Sequence, residues 1–165
     1  MISTFQNSWS PEEQALFNPC YFATLIWLAA SGYGGETGLG FELAFLIPPM
    51  VLHPTISVAL PRNVQTSLAS WTSSHPLECL NIGDETKRLL PFVRAALLFG
   101  AQYHLLGING VNIMPNRDLA QKIRRSPILR TEKIRSAHSR AKFLGKWFAT
   151  TGDPTTIYVL LGLRP

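Results

Sequence analysis

The stretch from Leu89 to Met114 constrains this chain more than any other. It begins with an Ala- and Leu-rich segment in which Phe92, Ala95, Ala96, Phe99 and Tyr103 recur at helical spacing. It ends with two short apolar runs around Asn109-Gly110. Asn-Gly is a strong hairpin signal, because a type I′ turn needs two residues at positive φ. A two-residue loop there predicts Ile108 opposite Val111 and Leu106 opposite Ile113. All four side chains then share one side, with Gly107 and Asn112 on the other. Burying four such groups yields roughly 1.5–3 kcal/mol each. Ordering about ten hairpin residues costs roughly 1–2 kcal/mol each. The hairpin therefore has to lie on helices.

A helix feeding a hairpin that folds back on it is how a winged-helix domain ends. The expected fold is mainly α: a helical domain with one β-hairpin, winged-helix-like over about residues 41–114. A basic segment and C-terminal helices follow over 115–165, all within one domain. Ser10-Pro11-Glu12-Glu13 reads as a helix start with a capping box, and Phe5 and Trp9 before it read as anchors. Asn18-Pro19 opens a second helix over about 19–31, apolar nearly all round. Phe41–Leu52 reads as a buried helix that ends or kinks near Ile47-Pro48-Pro49-Met50. His53-Pro54 opens a short turn or helix to Leu60. Pro61 starts a helix to about Ser74 with Val64, Leu68 and Trp71 on one face. His75-Pro76 breaks it, Asp84 caps the next helix, and Pro91 kinks or divides that one before the hairpin.

Beyond Pro115 a long helix is expected from Thr131. Ile134, Ala137, Ala141, Leu144 and Phe148 form its core stripe. Arg135, His138, Lys142 and Lys146 fall on an adjacent stripe, and Phe143 and Trp147 on a third side. Two large aromatics off the core stripe mark either an interface patch or a helix surrounded by its own domain. Asp153 and Pro154 then begin a short apolar helix ending at Gly162, although the β-branched run from Thr155 leaves a strand open.

Charge is sparse and uneven. Charged residues make up 15% of the chain, against a usual level of about 25%. Residues 1–116 carry a net −3, residues 117–146 a net +8, and residues 147–165 balance. Any polyanion contact should therefore be local. If the basic segment met four to six phosphates, log K would fall with log salt at a slope of about −4 to −5. No targeting segment is expected: the apolar run Tyr21–Ala30 is too short to span a bilayer. Cys20 and Cys79, far apart and outside any CxxC, read as two buried cytosolic thiols rather than a disulfide. A cytoplasmic location without membrane contact follows.

Nothing in the residues assembles into a catalytic constellation. His53, His75, His104 and His138 stand in no HExxH, CxxC or HxE setting, so no metal is expected. The Gly-rich Ser31–Gly40 lacks the GK[ST] of a phosphate loop and reads as a flexible connection. No G-x-S-x-G elbow occurs. The expectation is a non-enzyme without cofactors. The helix before the hairpin offers Lys87, Arg88 and Arg94, offset by Asp84 and Glu85, and the hairpin tip has no charge. The winged element is thus a poor reader of base sequence. Arg124, Arg125, Arg130, Lys133, Arg135, Lys142 and Lys146 are the candidates for DNA-backbone or acidic-partner contact. Phe143, Trp147 and Arg164 are the candidates for partner docking.

Several blocks resemble a known family: Phe17-Asn18-Pro19-Cys20-Tyr21-Phe22, Phe45-Leu46-Ile47-Pro48 through His53-Pro54-Thr55, Leu60-Pro61-Arg62, Ala141-Lys142-Phe143-Leu144-Gly145-Lys146-Trp147-Phe148-Ala149, and the closing Thr156 to Pro165. Together they resemble the middle component of three-component ABC-ATPase systems, the group that includes the Lamassu anti-phage defence complexes. The chain departs from it at Ile56-Ser57-Val58, where charged residues are expected. The resemblance implies a small, helical, winged-helix-like, non-enzymatic subunit between an SMC-like or Rad50-like ABC ATPase and an effector, often a nuclease. The complex would sense foreign DNA. A free-standing winged-helix transcription regulator is the rival reading, and a membrane-associated adaptor using Phe41–Leu52 a second one.

Overall fold

Asn18-Pro19 starts the helix around which the chain packs. In the computed structural model, which describes residues 17–126 and 131–164, helix α1 spans Pro19–Tyr33. Asn18 Oδ1 accepts the Cys20 N–H at 2.8 Å and Pro19 takes a position where no amide bond is lost. Phe22, Ala23, Leu25, Ile26, Trp27, Ala29 and Ala30 are buried, on nearly every side of the helix. Gly34, at φ 70°, ends it. Strand β1 (Leu39–Gly40) and a 3-10 turn (Phe41–Phe45) follow. Then come the short helices α2 (Ile47–Leu52), α3 (Pro54–Ala59) and α4 (Leu68–Ser74). Helix α5 (Pro76–Gln102) leads to the hairpin β2 (Leu106–Asn109) and β3 (Asn112–Pro115). A 3-10 turn (Arg117–Leu119) and α6 (Ala120–Arg124) precede α7 (Glu132–Thr151) and α8 (Pro154–Leu160). The mainly α expectation holds.

The most extensive helix–helix packing among the described residues joins α1 to α7. Two glycines allow it. A Cβ on Gly145 would land on the Ala29 carbonyl oxygen, and one on Gly32 would land on the Lys142 carbonyl oxygen. Each helix thus rests backbone against backbone at the other's glycine, with no room for a Cβ there. The helix expected from Thr131 forms as read, and Ala137, Ala141, Leu144 and Phe148 of its stripe are buried.

Three indoles then clip chain segments onto this core. Trp27 Nε1–H donates to Asn116 O at 2.9 Å, Trp71 Nε1–H to Ala59 O at 2.8 Å, and Trp147 Nε1–H to Thr66 O at 2.7 Å. Buried indoles need such partners. Tyr158 of α8 does the same with its hydroxyl, donating to Glu42 O at 2.7 Å.

The hairpin forms, with a different register. Ile108 pairs with Ile113 and Leu106 with Pro115, so the loop is Gly110-Val111. Of these two loop residues only Gly110 has positive φ, 62°, as a II′-type loop requires. Asn109 joins the strand opposite Asn112. Leu106 and Ile113 are buried, but Ile108 is 61% and Val111 74% exposed, so half the expected apolar patch faces out. The shift suits the backbone: a II′ loop asks positive φ of Gly110 alone, whereas a I′ loop on Asn109-Gly110 would ask it of Asn109 as well. Strand β1 pairs with β3 through Leu39–Ile113 and Gly40–Asn112, which makes a three-stranded sheet, order β1-β3-β2. The Gly-rich segment is the turn into that strand, with Gly38 at φ 82° packed on the Ile113 backbone.

Helix ends in the middle of the chain differ more. Pro48-Pro49 begins α2 instead of ending a helix, because prolines in a first turn lose no hydrogen bond. The helix expected from Pro61 starts at Leu68. Asn63 Oδ1 accepts the Gln65 N–H in a local turn, and Ser67 Oγ caps the helix through the Ser70 N–H. Helix α5 starts at Pro76, and Asp84 lies inside it rather than at its start. Pro91 neither divides nor ends α5. It sits on the exposed face, where water can take the carbonyl that its missing N–H leaves free. Ser10–Glu13, Phe5, Trp9 and Arg130 lie outside the described residues.

Candidate interaction site on the C-terminal helices

The close α1–α7 crossing buries one side of α7 and turns its basic stripe outward. Arg135, Lys142 and Lys146 are exposed along it. Two adjoining hollows border this stripe and share Ser139 and Lys142. The first, about 500 Å³, lies between α7 and the segment from Ser57 to Arg62. Its cations are Arg62, Arg140, Lys142 and Lys146, and Phe143 forms part of its wall. The second, about 450 Å³, lies between α7, α1 and the turn into α6. Its cations are Arg117, Arg124, Arg135 and Lys142.

No carboxylate lines either hollow. Among the described residues the ion pair is Arg88 with Glu85, 2.8 Å apart on α5. Seven cations therefore share one face without a carboxylate partner. Like charges gathered on one face repel, a cost that a bound polyanion removes. His138 borders the second hollow, its ring stacked on Tyr21 at 6.3 Å between centroids. Burial lowers its pKa below the usual imidazole value.

Of the sequence's candidate cations, Lys146 lines the first hollow, Arg124 and Arg135 the second, and Lys142 both. Arg125, Lys133 and Arg164 are exposed but line neither hollow. Arg62, Arg117 and Arg140 join the face, and only Arg62 comes from outside the basic segment. Its arrival depends on tertiary structure and has no local signal.

Trp147 is corrected. It is fully buried, edge-on to Trp71 at 5.7 Å and 89°, with its N–H bonded to Thr66 O. The segment between α3 and α4 wraps over it, so in the folded chain it offers nothing to a partner. Phe143 stays half-buried, stacked on Trp147 at 5.7 Å, with its outer part in the first hollow.

Among the described residues no group of three or more His, Cys, Asp or Glu could hold a metal, and no helix is long and apolar enough to cross a membrane. Cys20 and Cys79 are both free thiols as expected, but not buried ones: Cys20, in the first turn of α1, is exposed and Cys79 is half-buried.

A family model spanning almost the whole chain makes this small helical protein a component of a multi-subunit system built on an ABC ATPase. The match covers residues 6–165, and the chain belongs to the ABC-three component (ABC-3C) system Middle Component 3 family. Its partners therefore include other components of such a system, among them an ABC ATPase. No curated protein and no solved structure matches the chain.

Proposed function

We propose that this chain is a non-catalytic bridging subunit that links an SMC-like or Rad50-like ABC ATPase to an effector such as a nuclease, in an anti-phage or anti-plasmid defence complex of Lamassu type. It contacts DNA backbone through the α7 face, with Phe143 as an aromatic surface beside the phosphate-binding cations. The observation that carries this reading is the run of seven cations without a carboxylate across two adjoining hollows. A winged-helix-like arrangement is supported by the element order: helix, short strand, helices, then a hairpin whose second strand pairs with the first. The hairpin tip presents Ile108 and Val111 rather than cations, which disfavours a self-sufficient reader of base sequence.

Binding of the assembled complex to a short DNA duplex at several salt concentrations tests the DNA part. Contact with about four phosphates gives a log–log slope of about −4, and each removal of a contacting cation, as in Arg62→Gln or Lys146→Gln, lowers it by about 1. A slope unmoved by these variants would place the DNA contact on another subunit.

A further inference from the structure

The second hollow contains a feature that a backbone-tracking face does not require. Ser31 Oγ and His138 Nε2 are both shielded from solvent, and neither has a hydrogen-bond partner within the protein. They come from α1 and α7, and both residues line this one hollow. Buried polar side-chain atoms are bonded in the great majority of cases, so two orphans at one place call for an explanation. Arg117, Arg124, Arg135 and Lys142 line the same hollow.

We infer that this hollow seats a phosphate monoester of nucleotide size, and that its entry opens the Ser31 hydroxyl and the His138 imidazole, closed off while the hollow is empty, to donate to its oxygens. The charge favours a monoester over a diester. A terminal phosphate carries close to two negative charges near neutral pH, a backbone diester one, and four cations converge here. Three of them are guanidinium groups, whose planar forks match phosphate oxygens two at a time. The volume, about 450 Å³, is in the range of small-molecule sites and more than a bare phosphate needs. The rest of the wall is apolar, from Trp27, Leu28, Ala120 and Ile123, and suits a sugar and base. His138 also borders a neighbouring, largely apolar hollow.

The phosphate monoester has two sources, a free nucleotide or the 5′ end of a DNA strand, and the inference stands apart from the bridging reading. The test is histidine and amide NMR together with calorimetry on the full chain. The probes are adenosine 5′-monophosphate and one short single strand in 5′-phosphorylated and 5′-hydroxyl forms. The expected result is a perturbation centred on Ser31 and His138, with binding weakened about tenfold or more by Ser31→Ala, His138→Leu and Arg135→Gln, the loss typical of one buried hydrogen bond to a charged group. Circular dichroism confirms that each variant folds, and Ser31→Ala, which removes one oxygen, is the mildest. Binding of the mononucleotide assigns the source to a free nucleotide. Binding of the 5′-phosphorylated strand alone assigns it to a strand end. The inference is overturned if no phosphorylated probe perturbs these residues, or if their affinity is unchanged in the variants. Equal binding of both strands, insensitive to Ser31→Ala, also overturns it while leaving the DNA-backbone reading intact.

Discussion

Replacing Gly145 by alanine puts one methyl group into the α1–α7 crossing. Its Cβ would overlap the Ala29 carbonyl oxygen and stand 2.7 Å from the Tyr33 nitrogen and 2.8 Å from the Ala29 carbonyl carbon. All three obstacles are backbone, so no rotamer change relieves them. The helices must move apart over their most extensive contact, which loosens Ala29, Ala30, Ala141 and Leu144 in the core. Overpacking of this kind costs about 3–4 kcal/mol when nothing can yield, and the better helix propensity of Ala returns about 1 kcal/mol. The expected net loss is about 2–3 kcal/mol in urea unfolding, a large share of a typical domain's stability. Gly83→Ala is the matched control. It is also a mid-helix glycine, but its Cβ meets only the flexible Leu163 Cδ2, at 2.9 Å. That variant should be neutral or gain up to about 1 kcal/mol. Gly32→Ala should behave like Gly145→Ala, and the double variant should lose less than the sum, because helices already parted accept the second methyl. A Gly145→Ala protein as stable as the parent, or a Gly83→Ala protein as damaged, would refute the close-crossing argument.

Three further outcomes can be checked. Trp147→Ala should lose about 3–5 kcal/mol of stability as a buried aromatic, whereas Phe143→Ala should lose about 1–2 kcal/mol and mainly weaken binding by the complex, as urea melts and pull-downs on both would show. Tyr158→Phe leaves the Glu42 carbonyl without its donor and should cost about 1–2 kcal/mol in thermal unfolding. Burial, reinforced by Glu42, raises the Tyr158 pKa to about 12. The unfolded chain therefore releases that proton near pH 10 while the native chain holds it. Stability should fall as pH rises past about 10, and Tyr158→Phe should flatten the fall. His138 has the opposite sense: its native pKa is lowered, so the unfolded chain binds the proton first. Stability should decline as pH drops below about 6.5, with a smaller decline in His138→Leu.

Local chemistry with one dominant signal was legible in the sequence. Asn18-Pro19 and Asp153-Pro154 begin helices because a side-chain cap and a fixed φ act on the same few residues. The stripe from Ala137 to Phe148 was legible because its period is sustained over more than three turns. The hairpin's existence was legible, but its register was not. Asn109-Gly110 suits a I′ loop, but a shift of one residue lets Gly110 alone take the positive φ of a II′ loop, and the strand Leu39–Gly40 is too short to show an alternation that would announce the third strand. The same limit applies to Trp147. Its spacing on α7 shows that it leaves the core stripe, but only the tertiary position of Thr66 and Trp71 shows what covers it. Of the candidate site, the basic stripe was visible in the charge count. The hollows, Arg62, and the orphaned Ser31 and His138 atoms arise where α1, α7 and the connecting segments meet.

The bridging claim is tested most directly by native mass measurement of the ABC ATPase and the effector component of the same system, mixed with and without this chain. One assembly containing all three is expected when the chain is present, and separate ATPase and effector when it is left out. An ATPase and effector that associate equally well without it, with this chain remaining monomeric beside them, would contradict the account.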